Sequence, residues 1–343
     1  MSTFEDFNTV LKRLAVGEKL TQDTSARAFA TLMAGDVSPV RMSAFLTAFA
    51  VREPTTEEIV GAARAMRLAM RRVEAPDGAI DLCGTGGDGH GTLNVSTAAA
   101  FVVAACGVPV AKHGNRNMSS RTGTADVLEA LGVQIDLEPA AAERCLREAG
   151  ICFLFAQTYH PAMQHVGSVR RELGFRTIFN LLGPLSNPGG VRRQLLGVYS
   201  RDWLVPVAHV LAKLGAEKAW VVHGSDGLDE MTTTGVSHIA VLEDGKVTSM
   251  TVAPQDVGLE HASLAALKGG IPVDNADAIR KLLGGARGAF RDIVLLNAGA
   301  ALVVADKVRD LKEGIARATQ AIDSGAAANV LAKLETVSRG FRA

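Results

Sequence analysis

Neither sign of charge is in excess: 36 lysines and arginines stand against 36 aspartates and glutamates, a formal net charge of zero. Proteins that grip nucleic acid through its phosphates carry a basic surplus or stripe, so that class of partner is set aside. Cysteine is scarce, with Cys83, Cys106, Cys145 and Cys152 and no CxxC pair. The expectation is buried, reduced thiols in a cytoplasmic protein. The histidines lack zinc spacing, since His160 and His165 are five apart and no cysteine lies suitably near. A basic leader with an apolar block behind it is also missing, because Glu5 and Asp6 fall where bases would be needed. Leu93 to Ala111 is uncharged and long enough to span a bilayer. It contains Asn94, Ser96, Thr97, Gly107 and Pro109, however, and follows a glycine loop. A buried helix running into a buried strand suits it better, and no membrane segment is expected.

What is present describes an ordinary globular chain of 343 residues, 48% hydrophobic and 21% charged. That length suggests two domains. The first seventy or so residues read as helices. Ser2 and Glu5 have capping-box spacing, as do Thr55 and Glu58, the second pair opening a helix to about Arg72. Ser38-Pro39 opens another, with Val40, Phe45, Leu46 and Phe49 at helical spacing. Glu74 to Gly78, with a proline and an Asp-Gly pair, reads as a connector, dividing a helical domain (1–73) from the remainder (74–343). Beyond it short apolar strands alternate with helices: strands at 79–83, 108–111, 151–155, 195–199 and 219–222, helices at 94–107, 125–131 and 206–214. The fold class is therefore α/β, a small helical domain plus a larger α/β domain with a mostly parallel central sheet. A hairpin is expected around Asp244-Gly245, and helices over the last sixty residues.

Thirty-five glycines is a raised count, and the densest cluster is Gly84-Thr85-Gly86-Gly87-Asp88-Gly89, between a strand and a helix. Such a loop brings backbone amides close to an anion, and the helix N-terminus adds positive potential. Gly84, Gly86 and Gly89 match GxGxxG literally, so a dinucleotide fold, and with it an NADP-dependent oxidoreductase, is a rival reading. That reading wants an acid at the end of the next strand, where this chain has Lys112-His113. The nucleotide-hydrolase loop would need lysine and serine or threonine where His90 and Gly91 stand. Taken alone, the loop could also be a turn without a ligand. Its neighbours favour an anion site. Asn94, Ser96 and Thr97 bring an amide and two hydroxyls to the start of the following helix, and Lys112 to Arg116 brings two cations to the carboxyl end of the next strand. In parallel sheets that edge is where ligands bind.

These residues resemble the signature of the anthranilate phosphoribosyltransferases. The resemblance runs through Gly84–Asp88, Asn94–Thr97 and Lys112–Arg116, then Tyr159–Met163, Val169–Gly174, Arg176–Leu185 and Asp226–Glu230, in the family's order. It implies transfer of phosphoribosyl from phosphoribosyl pyrophosphate (PRPP) to the amine of anthranilate, with release of pyrophosphate, in tryptophan biosynthesis. It also implies a homodimer joined through the small domain, to which a helical segment near 165–188 belongs. Pyrimidine nucleoside phosphorylases share the fold and are the nearest enzymatic alternative. Carried across residue by residue, the resemblance gives the diphosphate to Gly84, Thr85, Gly86, Gly87, Asp88, Thr92, Asn94, Ser96, Thr97, Lys112, Ser119 and Ser120. It gives anthranilate to Gly84, His113, Asn115, His160, Arg170, Gly183 and Pro184, and magnesium to Ser96, Asp229 and Glu230.

Physical chemistry supports some of these roles on its own. Two acids in a turn would ordinarily read as a solvated loop, but magnesium is commonly held by one or two carboxylates with substrate phosphates and water, a pattern that Asp229-Glu230 suits and that the resemblance assigns to it. An arginine fork pairs two-pronged with a carboxylate, and anthranilate carries one, which suits Arg170. Asn94, Ser96 and Thr97 could equally cap their helix. His113 and His160 could be structural histidines. No serine, cysteine or lysine is poised beside a base, so a covalent intermediate is not expected.

Overall fold

The computed structural model describes residues 6–87, 89–116 and 122–340. The Ser2–Glu5 capping pair, Asp88, Ser119 and Ser120 lie outside the described residues. The helical start consists of α1 (Phe7–Ala15), α2 (Gln22–Met33), α3 (Pro39–Arg52) and α4 (Thr56–Ala69). The expected capping box forms: the Thr55 hydroxyl and the Glu58 carboxylate each take the other residue's backbone N–H. Glu58 is fully buried, and it also pairs with Arg52 at 2.6 Å and accepts the Leu20 N–H at 2.7 Å. One cap therefore fastens three segments. Phe45, Leu46 and Phe49 enter the core, but Val40 does not; it is 80% exposed, because α3 buries only the stripe on which the phenylalanines lie.

The remaining chain alternates strand and helix as β1 (Ile80–Gly84), α5 (Val95–Ala105), β2 (Val110–Gly114), α6 (Thr124–Ala130), α7 (Pro139–Ala149) and β3 (Ile151–Phe155). Then come α8 (Ala156–Tyr159), α9 (Gln164–Leu173), α10 (Phe179–Leu182), β4 (Arg193–Gly197), α11 (Leu204–Lys213) and β5 (Lys218–Gly224). The expected hairpin is β6 (Ser237–Glu243) and β7 (Lys246–Val252), and α12 (Pro272–Leu283), α13 (Ala289–Val304), α14 (Leu311–Asp323) and α15 (Ala326–Arg339) close the chain. The strands form one sheet in the order β3-β2-β1-β4-β5-β6-β7, parallel from β3 to β5 and antiparallel at the hairpin. The strand expected at 108–111 begins and ends later, at 110–114, so Lys112 and His113 are strand residues rather than its tail. Helix α7, with proline at its first turn and Gly150 in the left-handed region at its end, has both boundary signals that its segment advertises.

Side chains alternate across the sheet, and each face has its own core. Leu82, Leu195 and Trp220 pack with α5, α13 and α15, while Leu196, Ala219 and Val221 pack with α11. The second core continues into the helical start, where it also takes in Val166, Val169, Phe179 and Leu182 from α9 and α10.

Candidate active site

The carboxyl ends of β1, β4 and β5 each finish in glycine, and two of those glycines make room for one acidic residue. A Cβ at Gly84 would lie 2.2 Å from the Asp229 carboxylate, and one at Gly197 would lie 1.6 Å from the Asp229 carbonyl oxygen. The loop 225–231 thus rests directly on the strand ends. Two anchors hold it, one buried and one half-buried. Asn297 of α13 accepts the Met231 N–H at 3.1 Å and donates to the Met231 carbonyl at 2.8 Å. Asp226 accepts the Leu228 N–H and the Thr232 and Thr234 hydroxyls. The Gly86 N–H then donates to Asp229 at 2.7 Å, bringing the glycine loop onto the acid pair 143 residues away. Nothing in the local sequence around Gly197, Asp226 or Asn297 marks these roles; only the close approach does.

On the other side of β1, the alternation along β2 sends Lys112 and His113 to opposite faces. Lys112 is buried at 3% exposure and donates to the Leu82 carbonyl and to the Ser96 hydroxyl, the latter at 3.2 Å. It lies inside β2, against β1 and the start of α5, which corrects the expectation of a lysine at the strand's end. Glu230 accepts the Ser96 N–H at 3.1 Å. Burial first, and the neighbouring Asp229 charge second, push its carboxyl up to about 8, with Lys112 opposing. Asp81, fully buried, accepts the His113 N–H at 3.1 Å and an Asn187 amide N–H at 2.7 Å. This internal carboxylate ties β1, β2 and the turn after α10 together, and it faces the Lys112 charge.

The second expected cation does not converge. Arg116 pairs with Asp126 at 2.9 Å and with Glu129 at 2.5 Å and stacks on Phe155, away from Lys112. Thr97 is buried with its hydroxyl 3.5 Å from that of Thr124, and Thr85 accepts the Tyr199 N–H at 3.0 Å. Thr92 bridges to Lys268, and Asn94 occupies the N-cap of α5 without a side-chain capping bond. Asn115 is exposed, its side-chain oxygen taken by the Arg116 N–H at 2.8 Å. Arg176, which opens one of the matching motifs but has no role assigned there, stacks on Tyr199 at 4.5 Å and donates to the Gly87 carbonyl at 2.7 Å, clasping the glycine loop from the side of α9.

His113 and His160 meet with ring centroids 5.1 Å apart, both buried. The His113 Nδ1 lies 3.1 Å from the Gly183 carbonyl, which can only accept, so Nδ1 bears the proton and Nε2 presents a lone pair. Burial lowers His113 to about 3, and His160 to about 4 against a hydrogen bond to the Ser186 backbone. Both Nε2 atoms are buried without a hydrogen-bond partner among the described residues, as are the Ser186 and Thr177 hydroxyls. Such orphaned polar atoms mark a place for a polar ligand. Short helix α10 links this pair to Arg170: its last turn ends at Gly183, and its first residue, Phe179, carries the Arg170 guanidinium 5.3 Å from the ring centroid. Pro184 contributes its carbonyl to Gln194 at 2.8 Å, so its place is fixed by the sheet.

Among the described residues no cluster of three or more His, Cys, Asp and Glu side chains forms a cage. Two adjacent carboxylates beside a serine hydroxyl instead fit a hard cation that keeps water and shares substrate oxygens, as magnesium does. The raised Glu230 carboxyl reflects burial and the adjacent Asp229 charge, and a bound cation would favour its ionised form.

Comparison with known proteins gives a consistent result. Residues 76–328 match the glycosyl transferase family a/b domain, and residues 8–70 match its helical bundle domain. The anthranilate phosphoribosyltransferase of Beijerinckia indica subsp. indica is 58% identical over 334 residues, covering 97% of this chain and 98% of the relative. That of Rhodopseudomonas palustris (strain TIE-1) is 56% identical, with the same coverage of each chain. Among solved structures, the anthranilate phosphoribosyltransferase of Thermus thermophilus superposes with a TM-score of 0.91 at 46% identity, over 96% of this chain and 99% of that one. The Saccharomyces cerevisiae enzyme, solved in complex with PRPP and Mg, superposes at 0.89 with 27% identity and 98% coverage of both chains.

Proposed function

We propose, on the premise that this chain belongs to the anthranilate phosphoribosyltransferase family, that it is a pentosyltransferase. It transfers phosphoribosyl from PRPP to the amine of anthranilate with release of pyrophosphate, uses Mg2+, and serves tryptophan biosynthesis. The observation that best supports this reading is the hydrogen bond from the Gly86 N–H to the Asp229 carboxylate, where the glycine loop and the acid pair meet.

In the proposed assignment, the backbone of Gly84 to Gly87 and the side chains of Thr92, Asn94 and Ser96 bind the diphosphate, with the Lys112 charge supporting them from below. Thr85 and Thr97 hold that wall in place. Asp88, Ser119 and Ser120 enter on the resemblance alone. Asp229, Glu230 and Ser96 hold the metal. When bound, magnesium offsets the charge that grows on the departing pyrophosphate. Gly84, His113, Asn115, His160, Arg170, Gly183 and Pro184 surround anthranilate, whose carboxylate pairs with Arg170.

In the reaction the ribose C1–oxygen bond to pyrophosphate breaks and a bond from C1 to the anthranilate nitrogen forms; the nitrogen then releases one proton. The positive end of α5 behind the glycine loop favours charge on the leaving oxygens. The arylamine is neutral at pH 7 and needs little activation, so the protein's main contribution is placement, worth roughly 7–11 kcal/mol in favourable systems. With the proton on Nδ1, the His113 Nε2 lone pair would accept an N–H of the amine once the pocket opens to it.

We further propose that residues 1–73, joined by the segment near 165–188, form one domain and the rest of 74–343 the other; the contact of Phe179 with Phe29 and the packing of Val166 and Val169 against the helical start support the joining. A homodimer joined through the helical domain is supported by the exposed valines Val16, Val40 and Val51. A cytoplasmic setting is supported by four free, buried cysteines. The deciding experiment follows anthranilate fluorescence with PRPP and magnesium. Loss of signal is the expected outcome, and none at enzyme concentrations near that of substrate would refute the reading.

A further inference from the structure

One candidate diphosphate ligand has its orientation dictated from 181 residues away. Asn275, in the first turn of α12, is 1% exposed. Its side-chain oxygen accepts the Gly270 backbone N–H at 2.7 Å. A backbone N–H can only donate, so this bond fixes which end of the Asn275 amide is oxygen. The other end, Nδ2, then faces the Asn94 side chain and donates to its oxygen at 2.9 Å. Asn94 is thereby oriented in turn. Its oxygen is consumed, and its own NH2 is left without a hydrogen bond among the described residues, at the N-cap of α5 where no side-chain cap forms.

We infer that Asn275 is a positioning residue for the diphosphate site, holding Asn94 so that it offers a donor and never an acceptor to the anion. This rests on the reading above that Asn94 touches the diphosphate. The argument is one of sign. An amide N–H toward a phosphate oxygen is attractive, whereas the carbonyl of the same amide, turned over, sets one acceptor against another. An unrestrained asparagine can present either end. Asn275 removes the choice, and the backbone around it is itself registered on the glycine loop. The Gly269 N–H reaches the Gly91 carbonyl at 2.9 Å, the Leu93 N–H reaches the Leu267 carbonyl at 2.9 Å, and the Thr122 hydroxyl donates to the Gly270 carbonyl at 2.8 Å. A Cβ at Gly269 would stand 2.7 Å from the Thr92 carbonyl oxygen, so this close registration depends on glycine there.

Two substitutions separate orientation from mere support. Asn275→Asp keeps an acceptor for the Gly270 N–H but presents an oxygen to Asn94, which must turn over to donate. Asn275→Leu removes both bonds, orphans the Gly270 N–H and leaves Asn94 free to choose. Assayed at alkaline pH, where the new carboxyl is ionised, Asn275→Asp should raise KM for PRPP roughly 10- to 100-fold, the range expected for a charge-assisted hydrogen bond lost. KM for anthranilate should stay within about twofold. Asn275→Leu should raise KM for PRPP less than Asn275→Asp. A structural role alone gives the opposite order, since leucine abandons more hydrogen bonds. An Asn275→Asp enzyme that is folded by circular dichroism and keeps the parent KM for PRPP would overturn the inference, as would a larger KM effect from leucine than from aspartate. Titration of inorganic pyrophosphate with magnesium by calorimetry reads the same ranking without turnover. If the parent protein fails to consume anthranilate, that result counts against the proposed activity, and the pyrophosphate ranking still decides the role of Asn275.

Discussion

Arg170 is a cation that the fold has desolvated without giving it an anion. Its guanidinium lies over Phe179, itself part of the aromatic cluster with Phe29, and no carboxylate pairs with it among the described residues. Burial lowers it to about 10, so it remains charged at neutral pH. The lowering sets an upper bound of about 3 kcal/mol on the cost of holding that charge; partial exposure reduces it to about 1 kcal/mol. Arg170→Met, which keeps the contact with Phe179, should therefore leave the ligand-free protein as stable as before or raise its Tm by about 2 °C. Binding is affected oppositely. A carboxylate arriving at an already desolvated fork gains a charge-assisted pair worth roughly 1.5–3 kcal/mol, so KM for anthranilate should rise about 10- to 150-fold. Initial rates by anthranilate fluorescence at saturating PRPP give the first number, and a thermal melt gives the second. Competitive binding of benzoate should weaken by a similar factor, while that of aniline, which lacks the carboxylate, should not change. The reasoning fails if the anthranilate KM is unaltered, if the PRPP KM rises equally, or if benzoate and aniline are weakened alike.

Replacing Asp229 by asparagine, or Glu230 by glutamine, should raise the magnesium concentration needed for half-maximal rate by about tenfold or more; an unchanged magnesium titration would exclude both as ligands. Gly197→Ala places a carbon 1.6 Å from the Asp229 carbonyl oxygen, so the acid loop must move. A loss of about 3 kcal/mol or more, read by urea unfolding, should accompany a higher magnesium requirement, and a variant unaltered in both would refute the close approach. His113 and His160, held at about 3 and 4, should stay neutral across the working range, leaving no inflection near 6.5 in the anthranilate KM. The unfolded chain takes up protons at these positions below 6.5 that the folded protein refuses, so stability should fall as pH drops from about 6.5 towards 4. Thermal melts of His160→Gln should show a shallower fall, and an identical slope would count against the neutral pair.

The parts of this protein legible in its sequence are those whose causes lie a few residues apart. The Thr55–Glu58 capping box, the Asp244-Gly245 hairpin and the strand–glycine loop–helix unit each follow from local hydrogen bonding or turn geometry. The basic β2 and the Asp229-Glu230 pair were visible as chemistry, without a view of what they face. Their placement depends on strand order and on which way each strand's alternation points, and those are settled by packing of the whole sheet. Period two sends Lys112 under Ser96 and His113 towards Gly183, so neighbours in sequence meet different parts of the site. Arg116, adjacent to the same motif, is drawn off by Asp126 and Glu129. Gly197, Asn297 and Asn275 look unremarkable in sequence because their importance lies in what comes within 3.2 Å of them from distant parts of the chain. Sequence alone determined the chemistry available and the local frames that carry it. Only the tertiary structure decided which groups meet, since a contact across 143 or 181 residues is fixed by sheet register and core packing rather than by any neighbour along the chain.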